Sequence, residues 1–82
     1  MTENEISHVI IGAAIEVHKE LGGPGLLEQV YEEALCHELA LQKLNVARQK
    51  VVPIHYKGVS MSKHLVLDVM VEGSVVVEVK AT

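Results

Sequence analysis

Residues 65–80, LVLDVMVEGSVVVEVK, carry the most informative pattern in this chain. They contain two runs rich in valine and leucine, 65–71 and 75–80, which are typical of strands. Between them lies a short polar segment with a central glycine, residues 72–74, which predicts the loop of a β-hairpin. Both runs are apolar at nearly every position, so we expect other parts of the protein to cover each face of this sheet.

Three charged side chains interrupt these strands: Asp68 in the first, and Glu78 and Lys80 in the second. Glu78 and Lys80 lie two residues apart and therefore share a face. A two-residue loop would send Asp68 to the opposite face. A three-residue loop, which we predict, pairs Val71 with Val75. Asp68 then faces Glu78, and all three charges project from one place on the sheet.

Charges in this arrangement predict a bound metal cation. Two carboxylates that face each other in an apolar strand pair repel unless a cation lies between them. A hard divalent ion such as Mg²⁺, which one or two carboxylates can hold, meets that requirement. The adjacent Lys80 can then orient a water or stabilise charge on a phosphoryl group. The alternative interpretation is a solvated or salt-bridged outer face that binds nothing.

The N-terminal half predicts two helices. Apolar side chains recur at steps of three and four residues over 6–21 and again over 27–39. Thr2 and Glu5 have the spacing of a capping box at the start of the first helix. The glycine- and proline-rich segment 22–25 ends that helix, because glycine accepts the left-handed cap and proline cannot continue the helix.

The remaining segment predicts a third strand. From residue 46 the apolar pattern alternates, which favours a strand over 46–52. Pro53 cannot donate to a sheet ladder, so this strand should be interrupted or lie at an edge. Lys57-Gly58 should then turn the chain. The element order is an α+β pattern. We expect one domain, residues 1–82, with two N-terminal helices packed on a three-stranded, largely antiparallel sheet.

Composition excludes several classes of protein. The chain has 82 residues, with two tyrosines and no Phe or Trp, which excludes an aromatic stacking platform for single-stranded nucleic acid. The single Cys36 excludes a disulfide framework and a cysteine-based zinc site, and its helical position suits a small buried residue. No apolar run is long enough to span a membrane. We therefore expect a cytoplasmic protein without a membrane partner.

Charge is distributed unevenly along the chain. Eight of the eleven acidic residues precede residue 42, whereas six of the seven lysines and arginines follow it. This asymmetry is a weak indication that the second half faces an anion. The alternative is an acidic helical half that packs beside a basic strand half, and the low density of the six cations favours this alternative.

The chain also carries several motifs in a fixed order. The segment GLLEQVY, residues 25–31, is a literal GxxExxY, and it is followed by Tyr56-Lys57-Gly58, Asp68 and then Glu78-Val79-Lys80-Ala81. In this combination the chain resembles the GxxExxY protein family, a branch of the PD-(D/E)XK nuclease superfamily. The resemblance implies a restriction-endonuclease-like core and metal-dependent cleavage of phosphodiester bonds in nucleic acid, DNA more than RNA.

The resemblance also implies roles for individual residues. Asp68 and Glu78 would be ligands of Mg²⁺ or Mn²⁺, the Val79 carbonyl would add a further ligand, and Lys80 would position the attacking water. Glu28 would be the helix-borne carboxylate that completes the metal site, directly or through water. Glu28 has a structural explanation as well. If the glycine at position 25 is the N-cap, Glu28 is the third helical residue, where a carboxylate stabilises the helix.

The chain departs from the family pattern in three places, one of which, Leu67 in place of the proline of the PD motif, is common in relatives. Gly23 is one glycine more than the usual Leu-Gly-Pro-Gly, and the family continues past Glu-x-Lys into a further helix and strand. We therefore expect a core that is incomplete at its C-terminus. An open last strand and an uncovered valine-rich face predict a homo-oligomer through residues 75–82. The alternative function is a non-catalytic oligomerising or protein-interaction module that retains the nuclease-like fold.

Overall fold

A computed structural model of the chain describes residues 1–22 and 27–80. Two helices come first and three strands follow: α1 (Glu3–Leu21), α2 (Glu28–Leu41), β1 (Val46–Tyr56), β2 (Val59–Val71) and β3 (Val75–Val77). The predicted α+β order is confirmed. The extra Gly23 and the predicted N-cap at residue 25 lie outside the described residues. Among the helices of the described part, none is long and apolar enough to cross a membrane.

Helix α1 begins with the predicted capping box. The Glu5 backbone N–H donates to Oγ1 of Thr2 over 3.2 Å, and the Thr2 N–H donates to Oε1 of Glu5 over 2.8 Å. The bond from the Thr2 backbone holds the pKa of Glu5 below its ordinary value. Gly22 ends the helix with a left-handed φ of 81°. The helix face that packs inward consists of Ile6, Ile10, Ala13 and Val17.

Helix α2 differs from the prediction in which residues it buries. The predicted stripe included Leu27 and Val30, but these side chains are 69% and 40% exposed. The buried positions are Glu32, Leu35, Cys36 and Leu39. Leu27 is the N-cap, so Glu28 is the first helical residue and not the third. The conditional explanation of Glu28 as a third-position carboxylate is therefore wrong, although Glu28 still lies in the first turn, where the helix dipole favours a negative charge.

The three strands form one antiparallel sheet in the order β1-β2-β3. Tyr56 pairs with Val59, so Lys57-Gly58 is a two-residue hairpin turn, as predicted. β1 lies at an edge and carries Pro53, and the register shifts just after this proline. The expected edge position is confirmed, and the strand itself continues through Pro53 to Tyr56. β2 begins at residue 59, six residues earlier than the sequence pattern suggests, because pairing with β1 extends it to the turn.

The hairpin between β2 and β3 has the predicted register. Val71 pairs with Val75 across a three-residue loop. Glu72, with a left-handed φ of 55°, fastens this loop to the start of β1. Its N–H donates to the Asn45 carbonyl over 2.8 Å, and its Oε2 accepts the Asn45 N–H over 2.7 Å. β3 ends at Val77, which is shorter than the predicted strand over 75–80.

The core lies between the two helices and one face of the sheet. Its fully buried side chains of greatest volume are Leu39, Val69 and Val71. The alternate residues after the hairpin loop, Val75, Val77 and Val79, pack against this core. The helices of the same chain therefore cover the face of the last strand that carries these valines.

Candidate functional site

Of the three predicted site residues of the hairpin, Asp68 lies in β2, whereas Glu78 and Lys80 follow the end of β3. The residues that alternate with them lie in the core or pack against it: Val69, Val77 and Val79. Alternation along an extended chain puts Asp68, Glu78 and Lys80 on the other side. Asp68 is half-buried, whereas Glu78 and Lys80 are exposed. This pattern agrees with the shared face that a three-residue loop predicts.

A hydrogen bond joins Asp68 to the segment that follows β3. The Val79 backbone N–H donates to Oδ2 of Asp68 over 3.0 Å. Backbone pairing between the two strands stops at Val69 and Val77, and the Asp68 side chain takes over the connection from there. A carboxylate offers several lone pairs on its two oxygens. Asp68 therefore retains acceptor capacity for a further ligand while it holds the Glu78-Val79-Lys80 segment in place.

Glu32 is a buried carboxylate that the sequence analysis did not single out. Its side chain is 8% exposed, and its Oε1 accepts a hydrogen bond from Nε of Arg48 over 3.2 Å. The Gln49 side-chain amide donates to both of its oxygens, over 3.1 and 3.3 Å. One feature of the sequence indicates its burial: Glu32 lies three residues before Leu35, on the apolar stripe of α2. These contacts fasten α2 to β1 through charge-assisted hydrogen bonds.

Gln49 brings this connection next to Asp68. The register pairs on either side of Gln49 are Arg48↔Val69 and Lys50↔Leu67. Gln49 is therefore level with Asp68 across the β1–β2 ladder. Its backbone has a left-handed φ of 49°, a strained conformation for a residue other than glycine that costs about 1–3 kcal/mol. The two hydrogen bonds from the Gln49 side chain to Glu32 connect this position, beside Asp68, to α2.

The single cysteine lies in the core and not at this site. Cys36 is buried and its thiol is free. Burial is the largest effect and raises the pKa of this thiol, while the Arg48 guanidinium lowers it and the Glu32 carboxylate raises it by smaller amounts. The net result is a pKa above the ordinary value of a thiol. Because the thiolate is the nucleophilic form, Cys36 is a small core residue, as predicted.

We expect Cys36 to react slowly with a chromogenic disulfide reagent in the native protein at pH 8. Burial and the raised pKa both reduce the amount of accessible thiolate. The same reaction should proceed at the rate of an ordinary thiol once urea unfolds the chain. Absorbance of the released thiolate measures both rates. Equal rates in the native and unfolded protein would contradict the buried position of Cys36.

The carboxylates of the site form a small set of oxygen donors. Within residues 1–22 and 27–80, no group of three His, Cys, Asp or Glu side chains is placed to hold a metal ion. The predicted trio Glu28, Asp68 and Glu78 therefore does not form such a group. Mg²⁺ needs only one or two carboxylates, with water completing its shell, and Mn²⁺ prefers the same donors. The carboxylates of Asp68 and Glu78, together with the Val79 carbonyl, fit that chemistry.

Comparison with known proteins gives one match. A family model of the PD-(D/E)XK nuclease superfamily matches residues 4–82. The matched region contains α2, the whole sheet and every residue of the candidate site. Neither the curated proteins nor the solved structures compared with the chain include a match.

Proposed function

The chain belongs to the PD-(D/E)XK nuclease superfamily, and on that premise we propose that it hydrolyses phosphodiester bonds in DNA with Mg²⁺ or Mn²⁺ as cofactor. Within the superfamily, its motifs favour the GxxExxY family. The observation that carries the proposal is the hydrogen bond from the Val79 N–H to Asp68, because it joins the two halves of the site. We place the activity in the cytoplasm, where a single cysteine remains a thiol.

Each residue of the site has a role in this proposal. Asp68 and Glu78 hold the divalent ion through their carboxylates, and the Val79 carbonyl contributes a third oxygen. A bound divalent ion supplies Lewis acidity toward a phosphoryl oxygen and lowers the pKa of water. Lys80, two residues after Glu78 on the same face, orients the attacking water and stabilises negative charge on the phosphoryl group. Glu28 begins α2, which packs on the core face of the sheet. Glu28 therefore lies on the opposite side from Asp68 and has no ligand role in this proposal.

We expect the protein to bind Mn²⁺ and Mg²⁺ at one site and to lose this binding on Glu78→Ala. Isothermal titration calorimetry of each ion into the full chain measures both affinities. The ion binds the folded chain preferentially, so a hundredfold excess over its dissociation constant should raise the free energy of unfolding by about 2–3 kcal/mol. For a domain of this size that corresponds to a rise in Tm of roughly 10–20 °C.

The control for this experiment is Glu16→Ala, which removes an exposed carboxylate from α1. The control variant should bind both ions as the wild type does. A Tm that is indifferent to millimolar Mg²⁺ and Mn²⁺ would contradict the metal site. If the wild type and Glu78→Ala bind the ion with equal affinity, Glu78 is not a ligand and other residues hold the ion.

The alternative function, a non-catalytic oligomerising module, rests on a different observation. Valines on the outer face remain exposed around Asp68: Val51 by 55%, Val66 by 50% and Val76 by 45%. Apolar surface of this kind is typical of a contact with a second subunit. Because Val75, Val77 and Val79 cover the core of their own chain, a homo-oligomer through residues 75–82 would use the outer face. Sedimentation equilibrium at low micromolar concentration distinguishes the two: a dimer that binds no metal supports the module, and a monomer that binds metal supports the nuclease.

A further inference from the structure

The hairpin of β1 and β2 extends well beyond the part of the sheet that the helices cover. We refer to residues 50–67 as the arm; they comprise the distal parts of both strands and the turn at Lys57-Gly58. The structure describes all of these residues, and none of them is buried. The core side chains of β2, Val69 and Val71, lie outside the arm at its base. The arm is therefore a two-stranded ribbon with both faces open to solvent.

The arm carries positive charge and no negative charge. Its sequence contains three lysines and two histidines but no aspartate or glutamate: Lys50, His55, Lys57, Lys63 and His64. All five side chains are exposed. The acidic residues of the chain lie in the two helices and from Asp68 onward. A polyanion that approaches the protein is therefore attracted to the arm and repelled by the helical side.

Lys57 at the tip is a second, independent observation. Its backbone is left-handed, with φ at 49°, and Gly58 follows with φ at 80°. A two-residue turn of this geometry favours asparagine, aspartate or glycine at both positions. The Cβ atom of other residues lies too close to the following carbonyl oxygen, and asparagine and aspartate offset this by local hydrogen bonds. Nζ of Lys57 lies 5.4 Å from the centroid of the Tyr56 ring, but exposed contacts of this type are weak. Lys57 therefore places a positive charge at the exposed tip of the arm, in a backbone conformation that does not favour lysine.

We propose that the arm binds the phosphate backbone of duplex DNA, with Lys57 at its tip and Lys63 on β2 as phosphate contacts. A two-stranded β-ribbon fits the major groove of B-form DNA, whereas the major groove of A-form RNA is too deep and narrow for it. Tyr56 is the only aromatic residue of the arm, so the arm lacks the stacking surface that single strands require. The inference rests on the proposed nuclease function and deepens it: the arm holds the duplex whose backbone reaches the Asp68 face.

The test measures DNA binding without cleavage. Fluorescence anisotropy of a labelled DNA duplex, titrated with the full chain in EDTA, gives the dissociation constant at several salt concentrations. Lys57→Asn should weaken binding several-fold and reduce the slope of log K against log salt by about 0.9, the value for one phosphate contact. Lys63→Gln should have the same effect without any change in the turn. Urea unfolding should show a higher midpoint for Lys57→Asn, since asparagine tolerates the left-handed backbone.

The chain offers a matched control. Lys43, just after α2, is also an exposed lysine with a left-handed φ of 64°, but it lies outside the arm. Lys43→Asn removes the same charge and relieves the same backbone conformation. It should raise the urea midpoint as Lys57→Asn does, while leaving DNA affinity and salt slope unchanged.

Three results would overturn the proposal. The first is that Lys57→Asn and Lys63→Gln both bind DNA with the same affinity and the same salt slope as the wild type. The second is an equal loss of affinity on Lys43→Asn, which would indicate a general charge effect. The third is equal or tighter binding to an RNA duplex or a single strand of the same length. Because the assay contains EDTA, DNA binding through the arm can succeed where metal binding fails, and cleavage that is unaffected by the arm variants would refute the arm alone.

Discussion

Lys80→Met should lower metal-dependent DNA cleavage by about 10²–10³-fold, the usual effect of removing one group that stabilises charge in the transition state. Lys80 is exposed, two residues after Glu78 on the sheet face that carries Asp68. Methionine retains most of the length of the side chain and removes its charge. Cleavage of a labelled duplex at saturating enzyme and Mg²⁺ measures the chemical step, and calorimetry in parallel measures affinity for the ion.

The ion affinity separates this role from that of a ligand. A lysine donates hydrogen bonds and cannot act as an acceptor for a cation, so Lys80→Met should bind Mg²⁺ at least as well as the wild type. Lys19→Met, which changes an exposed lysine in the last turn of α1, should cleave normally. If Lys80→Met cleaves DNA at the wild-type rate, Lys80 has no role in cleavage, even if Asp68 and Glu78 still bind metal.

Leu39→Ala should reduce the free energy of unfolding by about 2–5 kcal/mol, the range for a buried leucine whose removal leaves a cavity. Leu39 has no exposed surface, and it lies where α2 meets α1 and the sheet. Its carbonyl also accepts the Leu44 N–H over 3.1 Å at the end of α2, a bond that the substitution leaves in place. The whole stability of a chain this size is about 4–12 kcal/mol, so the variant should be partly unfolded at moderate urea concentrations.

Leu41→Ala is the matched control. Leu41 lies two residues further along the same helix and is 63% exposed, so its truncation should change stability by less than about 0.5 kcal/mol. Urea unfolding followed by circular dichroism measures both variants. Equal midpoints for the two would mean that α2 presents a different face to the core.

The predictions from sequence succeeded where the information is local. Loop length and side-chain alternation give the pairing of Val71 with Val75, because the period of a strand is two residues and one extra loop residue reverses every face. The capping box of Thr2 and Glu5 spans three residues, and the two-residue turn at Lys57-Gly58 is set by its own glycine and its neighbours. The order of the elements follows from the change in period near residue 46.

The predictions failed where a contact joins distant parts of the chain. Glu32 lies 16 residues from Arg48. Its position on the apolar stripe of α2 hints at burial, but it does not indicate the distant donors that make burial of a glutamate possible. The predicted strand over 75–80 ends early, at Val77, and beyond it the Asp68 side chain accepts a backbone N–H from Val79. The burial of Glu32 and the early end of β3 both depend on a side chain that contacts another element. The periodicity of the sequence does not predict such contacts.

The sequence by itself therefore determined the α+β order, the hairpin register and the family, since each follows from spacing along the chain. Which carboxylates are buried and which are exposed depends on the tertiary structure. Packing makes Glu32 the link between α2 and β1, and within residues 1–22 and 27–80 Glu28 belongs to no group of three possible metal ligands. The physical reason is that burial and pairing of charges depend on the packing of whole elements. Desolvation of an unpaired charge is costly, so packing favours the arrangement in which a buried charge finds its hydrogen-bond donors.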